Sequence, residues 1–236
     1  MMGDKLLFEN ISKTYGEGDN MVTALDDISL AVRAGEFVAI AGPSGSGKST
    51  FLSIAGALLS PSKGRILLDE KDITSLPSKE LTRVRLEKIG FIFQAANLVP
   101  YLTVREQLLL LSELIGKRDK KAVIKADDLL SHLGLEHRAD HLPEALSGGE
   151  RQRVAIGRSL MNDPEIILAD EPTASLDSKR GRDVVEMLVH EVKARNKAAI
   201  MVTHDERMLD LCDRVIHIID GKIFTNGDTE KRANLQ

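Results

Sequence analysis

Four consecutive apolar residues, Phe37-Val38-Ala39-Ile40, run almost directly into the octet Gly42-Pro43-Ser44-Gly45-Ser46-Gly47-Lys48-Ser49. An apolar run without alternation suits a strand buried on both faces, and such strands belong to parallel sheets covered by helices. The octet matches G-x-x-x-x-G-K-[ST], a pattern that works only between a strand and a helix. The sequence supplies the strand before it, and a helix is expected from Thr50 to about Leu59. Glycines let several backbone N–H groups converge on phosphate oxygens. The helix N-terminus adds its positive dipole end. Lys48 can then reach the outer phosphates, and the Ser49 hydroxyl can ligate Mg²⁺.

Three further runs share this character. Ile89-Gly90-Phe91-Ile92-Phe93 stops at Gln94, Ile166-Ile167-Leu168-Ala169 at Asp170-Glu171, and Ala198-Ala199-Ile200-Met201-Val202 at Thr203-His204. Ligands of open α/β sheets gather at the carboxyl ends of the strands, so the four polar ends are expected to converge. Adjacent strand residues point opposite ways, and two carboxylates at a bend can take two jobs. Asp170 is expected in the Mg²⁺ shell and Glu171 beside the attacking water. His204, at a phosphate-rich strand end, can hydrogen-bond a terminal phosphate and Glu171.

Around this core the sequence predicts other parts. Leu6-Leu7-Phe8, Val22 to Leu25 and Ile28 to Val32 read as short antiparallel strands about the turn Gly16 to Asn20. From Gln94 to Leu146 the pattern is helical. Thr103-Val104-Arg105-Glu106 is a capping box opening a helix to about Ile115, and a second helix spans Lys121 to Leu133, stopping at Gly134. Val215 to Ile219 followed by Asp220-Gly221 is a hairpin signal. Residues 227–236 form a polar tail, expected to be loose.

Composition sets limits. With 42% apolar and 29% charged residues, the 236-residue chain can build a large core. Six Phe, two Tyr and no Trp leave that core to aliphatic side chains. A net charge of −4 argues against a nucleic-acid partner, which usually meets a basic excess. The single Cys212 cannot form an internal disulfide and reads as a small buried hydrophobe. No apolar targeting core is visible near the start, and no stretch approaches the ~18 apolar residues of a membrane helix, so a membrane role must run through a partner. His132, His137 and His141 surround a helix break without a thiol or carboxylate cluster and read as a solvated face.

Leu146-Ser147-Gly148-Gly149-Glu150 adds a second anion site. Ser147-x-x-Glu150 is itself a capping box, and a helix N-terminus with paired glycines lets a phosphate approach closely. Two phosphate sites on one chain fit best if two chains meet head to tail. With the octet, Gln94, Asp170-Glu171, the segment Ala174-Ser175-Leu176-Asp177 and His204, this string closely resembles the ATP-binding subunits of ABC (ATP-binding cassette) proteins, from about Leu6 to Ile223. Glu150 stands where many members of that family carry Gln.

The resemblance implies a P-loop NTPase cassette of α/β class. Its RecA-like parallel core would carry an N-terminal antiparallel β part and a helical subdomain, divided at residues 1–95, 96–145, 146–226 and 227–236. It implies ATP and Mg²⁺ as ligands. Tyr15 would stack on adenine, and Gly42, Pro43, Ser44, Gly45, Ser46, Gly47, Lys48, Ser49 and Thr50 would hold phosphates. Ser49, Gln94 and Asp170 would hold the metal, and Ser147, Gly148 and Gly149 would close over a second chain's nucleotide. Lys48, Gln94, Glu171 and His204 would carry hydrolysis.

The segment Gln94 to Gln107 resembles the MacB/LolD/FtsE branch, and within it the haem-exporter ATPases. That implies a peripheral protein on the cytoplasmic face of the cell membrane, driving a separate permease by ATP-dependent head-to-tail dimerisation. Export or extraction of a hydrophobic substrate such as haem would follow. The alternative is an FtsE-type regulatory ATPase that signals through a membrane partner and moves no solute. On this reading Leu98-Val99-Pro100-Tyr101 is the groove for the permease's cytoplasmic coupling helix.

Overall fold

The computed structural model describes residues 3–16, 20–117 and 119–225. Two twelve-residue strands come first, β1 (Asp4–Tyr15) and β2 (Val22–Arg33), paired antiparallel. The runs expected as separate strands at Val22 and Ile28 are one strand. The interruption at Asp27 is a register shift in which Asp27 takes φ 55° and accepts a 2.9 Å hydrogen bond from Asn10 Nδ2. Asp and Asn tolerate that left-handed backbone better than most residues.

Next come β3 (Phe37–Ala41), α1 (Lys48–Ala55), β4 (Lys63–Leu68), β5 (Lys71–Asp72), α2 (Ser78–Lys88) and β6 (Ile89–Ile92). The helix α1 begins earlier and ends sooner than the sequence predicts. At Gly56 a side chain would stand 1.9 Å from the Phe91 ring, and Ala57 turns the chain at φ 54°. Helix α2 escaped the sequence reading because it buries no residue and has no apolar stripe. Strand β6 ends at Ile92, one residue early, and Phe93 stacks on Phe91 at 5.4 Å between ring centroids.

The second half holds α3 (Val104–Leu114), α4 (Lys120–His132), α5 (Gly148–Leu160), β7 (Ile166–Asp170), α6 (Ser178–Ala194), β8 (Ala198–Val202), β9 (Arg214–Ile219) and β10 (Lys222–Thr225). The predicted capping box opens α3, with Thr103 N donating to Glu106 Oε2 at 2.8 Å and Glu106 N donating back to Thr103 Oγ1. Asp220 and Gly221 close the last hairpin with φ 49° and 75°, the double positive φ of a type I′ turn. The expected loose tail 227–236 lies outside the described residues.

The strands form two sheets. One is antiparallel, in the order β2-β1-β4-β5, and the other runs β10-β9-β3-β8-β7-β6 and is parallel except for β10. Helix α1 lies between them, with Phe51 packed on Phe8 of β1 at 4.8 Å between centroids. Helices α3 to α6 cover the opposite face of the parallel sheet and share a second core with it. This two-sided cover explains why every residue of β3 and β8 is buried. Among the described residues no helix is long and apolar enough to cross a membrane.

Candidate active site

The carboxyl ends of β3, β7 and β8 border one cleft of about 500 Å³. Its walls include Lys48, Ser49 and Thr50 at the start of α1, Asp170 and Glu171 at the end of β7, and His204 beyond β8. The fourth strand end behaves differently. Gln94 is exposed beyond β6, the edge strand, and is not among the cleft's walls.

The glycine loop is shaped by close approach. Gly42 (φ 144°) would place a Cβ 2.1 Å from the Ile218 carbonyl oxygen, and Gly47 (φ 105°) would place one 2.4 Å from the Ala24 oxygen. Both positions therefore require glycine on steric grounds as well as torsional ones. Gly47 also precedes α1 without any capping side chain, and α1 has no acidic residue in its first turn. Its first backbone N–H groups are thus free of an intrahelical partner and face an anion-compatible opening. Lys48 Nζ folds back to donate to the Gly42 and Pro43 carbonyls at 2.8 and 2.7 Å. Ser44 and Gly45 line the cleft, whereas the Ser46 side chain is buried with an unpartnered Oγ.

Asp170 and Glu171 do not alternate across the strand as the sequence reading supposed. Glu171 has φ 45°, its N–H donates to the Val202 carbonyl at 2.9 Å, and both carboxylates border the cleft. A non-glycine residue in that region is strained by about 1 kcal/mol or more, a feature that collects at functional sites. Burial, and then the neighbouring Glu171, push the Asp170 carboxyl above its usual range, while Lys48 acts in the opposite sense. Two partly buried carboxylates facing one ammonium form a donor set that a hard divalent cation would relieve, and the Ser49 hydroxyl shares the cleft. Glu171 Oε2 lies 2.9 Å from Nδ1 of His204.

The second glycine pair lies at the start of α5, away from this cleft. Ser147 and Glu150 form the reciprocal capping box, and Arg138 Nε adds a 2.9 Å bond to Glu150. The Ser147 N–H, followed by the Ser147 hydroxyl and the Arg138 guanidinium, holds the Glu150 carboxyl down at about 2, against the opposing effect of burial. A Cβ on Gly148 would meet nothing nearer than Leu176 Cδ2 at 3.5 Å, and on Gly149 nothing nearer than 3.9 Å. Neither glycine is required by packing within the chain. A glycine at either place gives up helix propensity without a packing reason inside the chain.

Tyr15 ends β1 opposite Val22, is 44% exposed, and lies under the Lys13 ammonium at 5.3 Å. It is not among the cleft's walls. Ala24 and Val202 are, and the sequence reading missed both. No local signal could have found Ala24, which reaches the site because β2 crosses the loop, with Asp26 N bonded to the Gly221 carbonyl at 2.8 Å. Leu98 packs partly against the helical core while Tyr101 is 78% exposed, so the four residues expected to form a docking groove divide into an inner and an outer part. The Cys212 thiol is partly buried and pushed up to about 12, chiefly by burial and then by Asp213. Among the described residues no three His, Cys, Asp or Glu side chains stand together as a metal cluster, and the His132 ring is bonded to the Asp128 carbonyl.

Comparison with known proteins agrees with this geometry. The family model described as ABC transporter matches residues 25–174. The hemin import ATP-binding protein HrtA of Staphylococcus haemolyticus is 51% identical over 218 residues, covering 92% of this chain and 98% of the relative. Its namesake in Staphylococcus aureus strain Newman is 47% identical over the same coverage. Among solved structures, the dimeric ATP-binding cassette MJ0796 in a post-hydrolysis state with ADP and Pi matches with TM-score 0.81 and 41% identity, over 93% of this chain and 98% of that one. CbiO1 of Clostridium perfringens, part of the ABC transporter complex cbiONQ, matches with TM-score 0.85 and 29% identity, over 99% and 95%. The cleft, the second glycine pair and these matches together make this chain a member of the ABC transporter family, an ATP-binding cassette subunit of the HrtA kind.

Proposed function

We propose that the chain is a Mg²⁺-dependent ATPase that dimerises head to tail and drives a separate membrane permease in haem-related transport. The observation that carries the catalytic part is the convergence of Lys48, Ser49, Asp170, Glu171 and His204 on one cleft. Lys48 exchanges its two loop carbonyls for phosphate oxygens, gaining charge-assisted bonds. Ser49 and Asp170 would supply oxygen ligands for Mg²⁺, which would neutralise phosphate charge. Glu171 orients the attacking water and receives its proton. His204, 2.9 Å from Glu171, holds that carboxylate in place and donates toward the phosphate. Tyr15 would stack on the adenine and Gln94 would complete the metal shell if their segments closed on the bound nucleotide.

Gly148 and Gly149, which packing within the chain does not require, support the dimer. A second chain's phosphate could approach the helix start closely, because neither glycine presents a Cβ there. Rates that rise more steeply than linearly with protein concentration are the expected result, and a strictly linear dependence for a protein held monomeric would refute it. Peripheral attachment to the cytoplasmic membrane face follows from the partner, with Leu98, Val99 and Tyr101 meeting the permease's coupling helix.

The staphylococcal relatives carry hemin import in their names. The branch resembled by Gln94 to Gln107 points to export instead. Hydrolysis on this cassette serves either direction, because the permease chooses the path. Deletion of the gene decides between them. Hypersensitivity to added haem is expected for export, whereas lost growth on haem as the iron source would mean import.

A further inference from the structure

The segment from Phe93 to Leu102 has almost no regular structure, yet three side chains on two helices hold its main chain. Gln107 of α3, fully buried, donates to the Val99 and Leu102 carbonyls at 2.6 and 3.1 Å and accepts from Val99 N at 3.1 Å. Gln152 of α5, also buried, donates to the Phe93 carbonyl at 3.2 Å. Arg158, further along α5, donates to the Ala96 carbonyl at 2.7 Å and the Asn97 carbonyl at 3.0 Å. Asn97 has φ 46°, so the chain turns sharply where the guanidinium grips it.

Arg158 is unusual in what it lacks. Burial alone pushes its pKa down from the ordinary guanidinium value, and no carboxylate among the described residues opposes the shift. It nevertheless stays charged, since a guanidinium does not deprotonate in proteins. A partly buried cation without a counter-ion is costly unless its donors are satisfied. Here they are satisfied by two successive carbonyls, a task for which the planar fork suits Arg and not Lys.

We propose that Arg158 is a positioning residue that fastens the Phe93–Leu102 segment to the helix bearing Ser147, so that both move as one body during the ATPase cycle. Helix rise puts Arg158 about 16 Å along the axis from Ser147. A displacement imposed at Tyr101 by a docked partner is carried through the gripped carbonyls into α5. It thereby reaches the glycine pair at the helix start. The proposal rests on the functional reading above for the partner at Tyr101 and the nucleotide beside Gln94, but the grip itself needs neither.

The test uses Arg158→Met, Arg158→Lys and Gln152→Leu. Hydrogen exchange on the isolated chain reads the grip. Amides 95–98 of Arg158→Met are expected to exchange about tenfold faster or more, because local opening no longer breaks two charged bonds. Gln152→Leu should show a smaller rise near Gln94. Steady-state kinetics with the permease in lipid nanodiscs read the coupling. Here Arg158→Met should lose about tenfold in kcat, with KM for ATP changed by less than about threefold, and Arg158→Lys should recover part of the loss. Unchanged exchange overturns the grip. Raised KM at full kcat overturns the coupling and makes Arg158 a support of the nucleotide cleft. If Arg158→Met and Arg158→Lys both fail to fold, Arg158 is a structural staple and the proposal falls. A parent protein that its permease does not stimulate would refute the functional reading instead, while the exchange data still judge the grip.

Discussion

Helix α1 begins behind Gly47 with no side chain on its free N–H groups, and Lys48, Asp170 and Glu171 share the cleft in front of it. Helix α5 begins behind Ser147 with its own cap complete, Ser147 N bonded to Glu150 at 2.7 Å and Glu150 N to Ser147 at 3.3 Å. The glycines differ in the same sense. Gly47 is packed against the Ala24 carbonyl, while a Cβ on Gly149 would make only ordinary contacts, with the Arg180 and Arg153 side chains at 3.9 and 4.0 Å. An uncapped helix end inside a walled cleft is a complete anion site that asks nothing of another molecule. A self-capped end has spent part of its hydrogen-bonding capacity already. It becomes a strong site only when something else supplies the remaining walls.

The comparison can be broken first at the complete site. Glu171→Gln keeps the shape of the cleft and removes the charge beside the water, so single-turnover hydrolysis should slow about 10²-fold or more with ATP binding preserved. Near-parent turnover would put the catalytic carboxylate elsewhere. Lys48→Ala should act one step earlier and weaken ATP binding by roughly 10- to 100-fold, the size of one or two lost charge-assisted bonds. Equilibrium binding of a fluorescent ATP analogue measures this, and parent-like affinity would overturn the loop's assignment.

The glycines sharpen the contrast. Gly47→Ala meets a carbonyl at 2.4 Å on a backbone that L-residues avoid, and should lower stability by about 1–3 kcal/mol in denaturant titration. Gly149→Ala should raise stability by up to about 1 kcal/mol and yet slow the dimer's turnover. A Gly149→Ala protein that turns over normally would mean that no second chain closes on α5.

Glu150→Ala should leave the nucleotide cleft untouched and lower stability by about 0.5–2 kcal/mol at neutral pH from the lost cap. Its pH dependence has a definite sign. The folded carboxyl titrates at about 2, below its usual value of 4.5, so its stabilisation is full above 4.5 and disappears as pH falls through about 2. The stability gap between parent and variant should therefore close across that window, and a gap persisting at its lower end would assign the loss to something other than the carboxylate.

Much of this was legible in the residues alone. The strand before the octet, both capping boxes and the Asp220-Gly221 hairpin are local, because each is decided by side chains within a few positions of one another. Helix α2 was not legible, since a surface helix that packs only the half-buried Leu81 and Val84 on the core leaves a weak periodic trace. Gln107, Gln152 and Arg158 were passed over for a different reason. A polar residue on a helix reads as solvated until a loop from elsewhere is laid across it.

The amino-acid order by itself determined the phosphate loop, the acidic strand end, the self-capped second glycine pair and the family they belong to, all short-range patterns whose chemistry is set by spacing. Tertiary structure alone decided which of them meet. It brought Glu171 to His204 through the pairing of β7 with β8 and turned Glu171 into the cleft by a positive φ. It also left Gln94 beyond the edge strand and Tyr15 on the antiparallel sheet, outside the cleft walls. Strand order and backbone torsion depend on the burial of the whole core, and no window of a few residues contains that information.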